Sequence, residues 1–418
     1  MSRRRFEVYL DKVFDFFLLA SAMTEGRRHP RHSWLKVFTA LFFGAASQMS
    51  SLLEIETECR RGSLSKRIGP VSNNTFVYAM QRQNPEALFA LGCAVAKQIK
   101  RNGLLRSDWS RGFVVAAVDG IEICSSFARC CPCCMERRVQ RKIDGAIQEC
   151  TQYYHRLVAV TIVCTPFPIP LGLRFQKPGE GEVACAVALL QDLVGVLGRR
   201  FFDVLVADAL YLQKPFIEHI EALGLRWVIN LKDNQPDLLA AAQRMTTGPA
   251  DATETDARSQ LQFWHLPELC WLAGDRTVRI LKTVRRRQRQ RVVIADKHRP
   301  ARQQQEAVED HATNFYASNF DLGTIPPQFL HRLGRSRWMI DAELFQTITT
   351  DCHLKKPSAH QSQALVVLTM IRLLAYTLSL VFYHRQVLSH RGSHAPASFR
   401  EFAYRLSGQP PVALADSS

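Results

Sequence analysis

The chain has few acidic residues for its number of basic ones, and this shortage bears on its partner. Asp and Glu number 38 against 54 Lys and Arg among 418 residues, which gives a formal net charge of +16. A protein with this excess attracts polyanions, and nucleic acid is the default polyanionic partner. A basic surface without a particular partner is the simpler alternative.

The chain also lacks a recognisable secretory signal. The basic start at residues 1–6 is followed by Glu7, Asp11 and Asp15 among apolar residues. This is the pattern of an amphipathic helix and not of the apolar centre of a signal peptide. We therefore expect a cytoplasmic protein whose 12 cysteines are reduced and not paired in disulfides.

No apolar run of membrane-spanning length is free of charge. The most apolar segment, residues 364–382, carries Arg372 at its middle, where a charge is costly in a bilayer. We predict a buried core helix here and no membrane partner, with a membrane span as the alternative. No internal repeat is visible.

Residue patterns divide the rest of the chain. Residues 1–108 combine helical apolar spacing with N-cap residues and many basic side chains, which indicates either a helical DNA-binding domain or a packing cap with a solvated basic face. An α/β pattern follows, because three Val-, Ile-, Leu- or Phe-rich strands precede alternating helices and strands. The predicted strands are 113–118, 157–164, 169–176, 203–207 and 227–231, and the predicted helices are 182–197 and 211–223.

Residues 251–325 change character and contain short β-strand patterns. Between them runs a basic stretch, residues 285–291, which is most often the solvated tip of a hairpin and can also contact DNA phosphates. Its candidate phosphate ligands are Arg285, Arg286, Arg287 and Arg289. Residues 326–390 return to helix, and a C-terminal tail occupies 391–418.

Acidic residues follow two of the predicted strands and lie in a later helix. Asp119 follows the first strand, Asp208 follows the fourth, and Asp341 and Glu343 lie in the helical segment 337–346. Open α/β sheets place active sites at the carboxyl ends of strands, and converging carboxylates suit Mg²⁺. A single Asp after a strand is also a common turn former or helix N-cap.

These segments together resemble a DDE transposase of a bacterial insertion sequence. The matching residues are 117–120, 206–212, 227–234 and 337–343, and the likeness covers most of 25–360. The resemblance implies a ribonuclease-H-like α/β catalytic domain over 109–250 and 326–390, with an N-terminal helical domain and a β-rich insertion. It also implies a polynucleotidyl transferase that uses two Mg²⁺ ions and acts on transposon ends and target DNA, as a homodimer in the DNA complex.

The family's last motif leaves two candidates for the third acid. Its usual spacing after Arg337 selects Asp341, where the family has Glu, and Glu343 is the competitor. In an α-helix the two lie about 200° apart, so both cannot face one site. Asp341 shares a face with core residues, which favours it. Lys232 and Arg337 are candidates for neutralising phosphate charge.

The Cys-rich flap, residues 124–155, has the spacing of a zinc site. Two interleaved Cys-x-x-Cys pairs precede a histidine, and thiolates with imidazole suit Zn²⁺. The resemblance supports it, since related chains have Cys-Pro-x-Cys followed by Tyr-Tyr-His-Arg. Free thiols in a basic, DNA-facing loop are the alternative. The predicted ligands of one structural Zn²⁺ are Cys124, Cys131, Cys134 and His155.

The resemblance predicts DNA cleavage and strand transfer. Two other functions stay open: a DNA-binding relic that has lost catalysis, which the Asp at position 341 permits, and a nuclease that only hydrolyses.

Overall fold

The chain forms two compact units. Unit 1 comprises Met1–Gly112, Val118–Phe201 and Trp338–Ser418, and unit 2 comprises Phe113–Ala117 and Phe202–Arg337. The structure is a computed structural model. It describes residues 3–256, 259–294, 303–321, 325–356, 361–389 and 398–407, without the side chains of Ala273 and 288–309. The domain boundaries expected from the sequence stay a prediction.

The N-terminal part of unit 1 is helical, as the sequence predicts. Polar side chains begin four of its helices, because Ser33, Ser51, Ser72 and Asn84 each accept a hydrogen bond from a backbone N–H of the first turn. The helices are α1 Arg3–Phe14, α2 Phe16–Ser21, α3 Trp34–Ala46, α4 Leu52–Arg61, α5 Asn73–Met80 and α6 Pro85–Arg101.

Unit 1 continues with strands and a helix. They are β1 Val115–Ser126, whose first residues belong to unit 2, β2 Met135–Ile143, β3 Ala146–Ile162, β4 Ile169–Phe175 and α7 Glu182–Leu197. β3 lies between β2 and β1 and also pairs with β4. The sequence prediction missed β2 and the first half of β3. Both are exposed and rich in Arg, Gln and Glu, so they lack the apolar alternation that predicts a strand.

Unit 2 begins with an alternating pattern that agrees with the sequence prediction. Its first elements are β5 Val204–Ala207, α8 Lys214–Ala222, β6 Arg226–Leu231 and α9 Pro236–Met245. β5 pairs with β1 and is parallel to β6, and all four residues of β5 are buried. A parallel pair needs a crossover connection, which α8 supplies.

One short and three long strands complete the sheet of unit 2: β7 Ala252–Thr255, β8 Ser259–Trp271, β9 Arg276–Ile294 and β10 Gln303–Ser318. Their order from β6 is β10, β9, β8, β7. The expected hairpin tip at residues 285–291 is wrong, because this stretch lies inside β9. Arg285 lies opposite Ala312 and Arg287 opposite Asp310. Backbone pairing with β10 stabilises this arginine-rich strand, and the acid opposite Arg287 reduces the repulsion between its positive charges.

Helices form the C-terminal part of the chain: α10 Pro327–Ser336 in unit 2, then α11 Gln346–Thr350, α12 Ser362–Phe382 and α13 Phe399–Leu406 in unit 1. π-helical turns occupy Ile340–Phe345 and Tyr383–Leu388. Within the described residues, one helix, Ser362–Leu388, is long and apolar enough to cross a membrane, and 89% of its most apolar window is buried in the protein. α12 packs against α3, α5, α6 and β4, as a core helix does. Residues 391–397 and 408–418 of the expected tail lie outside the described residues.

Candidate functional site

Asp119 directly follows the first buried stretch of β1. Residues 115–118 are buried and the next four are half-buried. The sequence suggested that Asp119 follows the strand. β1 continues to Ser126, however, so Asp119 lies inside it. The Oδ1 atom of Asp119 accepts a hydrogen bond from the backbone N–H of Gly120 at 2.8 Å.

Glu182, the first residue of α7, lies close to Gly120, the residue that follows this acid. A Cβ atom placed on Gly120 would stand 2.5 Å from the carboxyl carbon of Glu182, so a glycine makes room for this approach. The Glu182 side chain is 8% exposed, and its Oε2 lies 2.6 Å from a guanidinium nitrogen of Arg156. Sequence reasoning gave Glu182 no role, because the approach depends on how α7 returns to β1.

Asp208 directly follows β5 and is surrounded by donors and cations. Its Oδ1 lies 3.0 Å from Lys232 Nζ and 3.3 Å from Asn230 Nδ2. Burial by itself raises the pKa of Asp208, but a hydrogen bond from the Ala209 backbone and the charges of Lys232 and Arg337 outweigh it. The net effect lowers the pKa below its usual value, so Asp208 is a carboxylate at neutral pH.

The structure assigns partners to the predicted phosphate ligands near Asp208. Lys232 is exposed and bound to Asp208, while Arg337 is 7% exposed. Asn230 is an additional partner of Asp208 that sequence reasoning missed. The available signal was its position on β6, two residues before Lys232, which lies just beyond the end of that strand, since alternate residues of an extended chain share a face.

The third acid lies in an irregular stretch of helix. Asp341 is half-buried and Glu343 is exposed, and both belong to the π-helical turn Ile340–Phe345. The angular argument that favoured Asp341 assumed an α-helix, and a π-helix has wider i→i+5 turns, so that argument does not apply here. Although Glu343 is accessible, desolvation raises the pKa of its carboxyl above the usual value. The choice between the two acids stays a prediction.

Three of the four predicted zinc ligands come together in unit 1. Cys131 and Cys134 form a turn just before β2, in which the Cys134 N–H donates to the carbonyl of Cys131 at 3.0 Å. The two sulfurs are 3.7 Å apart, and they lie 3.5 and 3.4 Å from Nε2 of His155 on β3. All three ligand atoms lie within 4.8 Å of one another.

These distances match the edges of a tetrahedral zinc site. Bond lengths of about 2.3 Å to sulfur and about 2.0–2.1 Å to nitrogen place two sulfurs roughly 3.8 Å apart, and sulfur and nitrogen roughly 3.6 Å apart. Burial lowers the pKa of His155, which keeps its imidazole neutral and able to bind a metal. Burial raises the pKa of the Cys131 thiol to about 11, so metal binding there must release a proton.

Cys124, the fourth predicted ligand, lines the same cavity as the other three. Its thiol donates to the carbonyl oxygen of Leu354 at 3.1 Å, and its backbone has a φ of 49°. It does not belong to the group of three whose ligand atoms are in mutual reach. A change of the Cys124 side chain away from Leu354 is therefore needed before it can complete a four-ligand site.

The predicted phosphate contacts of the insertion lie along β9. Arg286 is exposed, and Arg285 and Arg287 are half-buried on the other face of the strand. The side chain of Arg289 lies outside the described side chains. The structure thus presents these arginines as a strand surface and not as a tip.

Comparisons with known proteins give one family match. The family model described as "Transposase DDE domain" matches residues 136–378, which is more than half of the chain. No curated protein matches the sequence. A solved structure, the cryo-EM structure of piggyBac transposase synaptic complex with hairpin DNA, is similar to the chain with a TM-score of 0.44 and 11% identity, covering 96% of this chain and 78% of that one.

Proposed function

The chain belongs to the family of transposase DDE domains, and from that premise we propose that it binds the ends of an insertion sequence and catalyses DNA cleavage and strand transfer. The family match over residues 136–378 is the observation that carries this proposal. The formal charge of +16 supports a DNA partner, because phosphate contacts dominate affinity for DNA. We place this activity in the cytoplasm, in a homodimer on DNA.

The catalytic domain is proposed to be ribonuclease-H-like. In unit 1, β3 lies between β1 and β4, and in unit 2 the first residues of β1 pair with β5, which is parallel to β6. Three strands followed by alternating helix and strand agree with that fold. β2 and the strands β7–β10 are additions to it.

The proposed metal ligands are Asp119, Asp208 and one of Asp341 and Glu343. Two bound Mg²⁺ ions supply activation of a water or a DNA 3′-hydroxyl and stabilisation of the leaving oxygen. The donors fit hard cations, since they are carboxylate oxygens and Asp208 is held ionised by its neighbours. Asp208 meets Lys232 through Oδ1, so its Oδ2 can bind a metal while that contact persists.

The cations beside Asp208 are proposed to neutralise the phosphate. Lys232 is exposed and has a flexible stem, so its ammonium can move from Asp208 to a phosphodiester oxygen. Arg337 is buried, so we assign it long-range charge stabilisation of Asp208. The arginines of β9 are assigned sequence-independent contacts with the DNA backbone.

We further assign one structural Zn²⁺ to Cys131, Cys134 and His155. Thiolate and imidazole ligands favour zinc over magnesium or calcium. Cys124 completes the set once its thiol leaves the carbonyl of Leu354.

The test is excision of the native element. A plasmid carrying the coding sequence with its native flanking DNA is incubated with the purified protein and Mg²⁺, and the cut ends are mapped. Cuts at terminal inverted repeats with joining to a second plasmid are expected. Cutting without joining would support the hydrolysis-only nuclease, and binding without cutting would support the catalytically decayed relic.

A further inference from the structure

The hairpin of β2 and β3 is an exposed two-stranded ribbon. Every residue of β2 is exposed or half-exposed. The turn at its end, Asp144 and Gly145, has φ values of 49° and 86°, and two successive positive φ values characterise a tight type I′ turn. The ribbon therefore has a defined register and two accessible faces, with Ile143 paired to Ala146 next to the turn.

The two faces of this ribbon differ in charge. Register and alternation put the polar side chains Arg137, Arg141, Gln148 and Gln152 on one side, the amide face, together with apolar side chains such as Val139 and Ile143. The opposite side, the mixed face, carries two acids and two bases: Glu136, Arg138, Lys142 and Glu149. On the mixed face Arg138 lies 3.4 Å from Glu149, so its charges compensate one another. The amide face has no acid of the hairpin.

The amide face is anchored at its base and available toward its tip. Near the base, Arg137 donates to Gln152 at 2.7 Å and to both carboxylate oxygens of Glu122 at 2.8 and 2.9 Å. Nearer the tip, Arg141 makes no ion pair within the described part of the chain. Its guanidinium lies 4.0 Å from the centre of the Phe127 ring, which is 40% exposed. Stacking on a ring holds an arginine while its edge nitrogens stay free to donate.

These features fit duplex DNA. The major groove of B-DNA admits a two-stranded β-ribbon, and Arg and Gln are side chains that donate to guanine and adenine edges as well as to phosphates. At about 3.3 Å per residue, a strand of the length of β2 spans roughly 30 Å, close to one turn of the double helix. A-form RNA has a deep, narrow major groove that such a ribbon does not enter.

The Cys/His cluster stands at the base of the ribbon. Cys134 immediately precedes Met135, which pairs with Tyr154 next to His155. A contact between these residues fixes the strands where they leave the rest of unit 1. The ribbon is thus held at one end, and its amide face is available toward the other end, around Arg141 and Gln148.

We propose that the amide face of the β2–β3 hairpin docks in the major groove of duplex DNA, with Arg141 and Gln148 as its central contacts. This inference rests on the proposed function, because it names the surface that receives the DNA substrate. The mixed face points away from the groove.

Matched variants test the choice of face. Arg141→Gln and Lys142→Gln remove the same charge from adjacent exposed residues on opposite faces. Binding of a fluorescein-labelled mixed-sequence DNA duplex to the full chain is measured by anisotropy over a salt series. Arg141→Gln should weaken binding about tenfold and lower the salt slope by about one, and Lys142→Gln should change affinity less than about twofold. Equal effects of the two variants would overturn the inference.

Photocrosslinking gives a second readout that does not depend on affinity. A benzoylphenylalanine replacing Gln148 should crosslink to the duplex, and one replacing Glu149 should not. The reverse pattern, or equal competition by an RNA duplex of the same sequence, would overturn docking in the major groove. If the wild-type chain binds the duplex and only the face preference fails, the proposed function stands. A wild-type chain that binds no duplex contradicts both.

Discussion

The surroundings of Asp208 and of the Cys131–Cys134–His155 cluster set the charge of these proposed metal ligands in opposite ways. Asp208 is already charged, because Ala209, Lys232 and Arg337 outweigh the effect of burial on its pKa. In the cluster, burial keeps a thiol protonated and an imidazole neutral. One region has its charge before any metal arrives, and the other acquires charge only by losing protons.

This difference fits the two proposed roles, an exchangeable catalytic ion at Asp208 and a structural ion at the cluster. A charged oxygen ligand with partial exposure can bind and release hard ions during a reaction cycle. Soft ligands that must lose protons bind a metal as part of folding, and the metal then holds the segment together. We therefore expect removal of either metal to have distinct consequences, for catalysis at Asp208 and for the order of the hairpin base at the cluster.

The largest expected effect is on cleavage by variants of the two Asp residues. Asp119→Asn and Asp208→Asn should each reduce Mg²⁺-dependent cleavage by roughly 10³-fold or more while DNA binding persists, because a charged ligand is lost and the shape is kept. Asp237→Asn, an exposed acid on α9, is the matched control and should cleave normally. Cleavage by Asp208→Asn at the wild-type rate would contradict the proposal that the Asp208 carboxylate binds a catalytic metal ion.

The third acid gives the next largest effect. We retain Asp341 as the predicted ligand. Asp341→Ala should therefore lose cleavage, and Asp341→Glu should keep it. Glu343→Ala should keep cleavage and should change stability by no more than about 0.5 kcal/mol. Cleavage assays on the element-bearing plasmid decide it. The reverse result would assign the ligand to Glu343, and normal cleavage by both alanine variants would remove this helix from the site.

Loss of the metal site at the Cys131–Cys134–His155 cluster should affect the order of the surrounding segment more than it affects DNA cleavage. The purified chain is expected to carry about one zinc ion, and Cys131→Ser with Cys134→Ser should abolish it and make residues 124–155 sensitive to protease. Cys130→Ser with Cys133→Ser changes two exposed thiols in the same turn and is the control. Equal zinc content in both double variants, measured by mass spectrometry, would refute the assignment.

A smaller effect is the loss of stability at acid pH, which we assign to His331 and not to Asp208. His331 in unit 2 is 8% exposed, and burial together with Arg335 and Arg285 lowers its pKa to about 4. The unfolded chain takes up the proton near pH 6.5, so stability falls as the pH drops from there toward 4, by about 2 kcal/mol between pH 7 and pH 5. Asp208 stays a carboxylate over that pH range, because its pKa lies below the usual value. Its neutralisation therefore does not contribute to this loss of stability.

Urea unfolding at the two pH values measures this loss. His331→Leu removes the titrating group, so its stability should depend less on pH than that of the wild type. An unchanged pH dependence in the variant would show that other groups cause the acid loss.

Sequence patterns predicted the buried elements well and the exposed ones poorly. α7 begins and ends where apolar spacing and turn residues place it, and β5 and β6 are short apolar runs with little ambiguity. β2 and residues 285–291 were misassigned because their sequences show no apolar alternation. Backbone pairing stabilises them as strands, β2 with β3 and residues 285–291 with β10. A single sequence does not show such pairing.

The candidate site was predictable to the same degree. Asp208 stands directly after a buried strand, as the sequence predicted, and its role as a metal ligand stays a prediction. The contact of Glu182 with Gly120 depends on packing between distant segments, and the π-helical turn at Asp341 has no established sequence signature. The spacing of Cys131, Cys134 and His155 did predict their proximity, since the turn and the register of β2 with β3 are local.

Metal rescue of Asp208→Cys tests most directly whether Asp208 is a metal ligand in DNA cleavage. A thiolate binds Mn²⁺ better than Mg²⁺, because softer ligands discriminate against the harder ion. The account predicts that Asp208→Cys is inactive on the element-bearing plasmid with Mg²⁺ and regains cleavage with Mn²⁺, while Asp208→Asn is inactive with both. Wild-type cleavage by Asp208→Asn with Mg²⁺, or no recovery of Asp208→Cys at any Mn²⁺ concentration that supports the wild type, would contradict it.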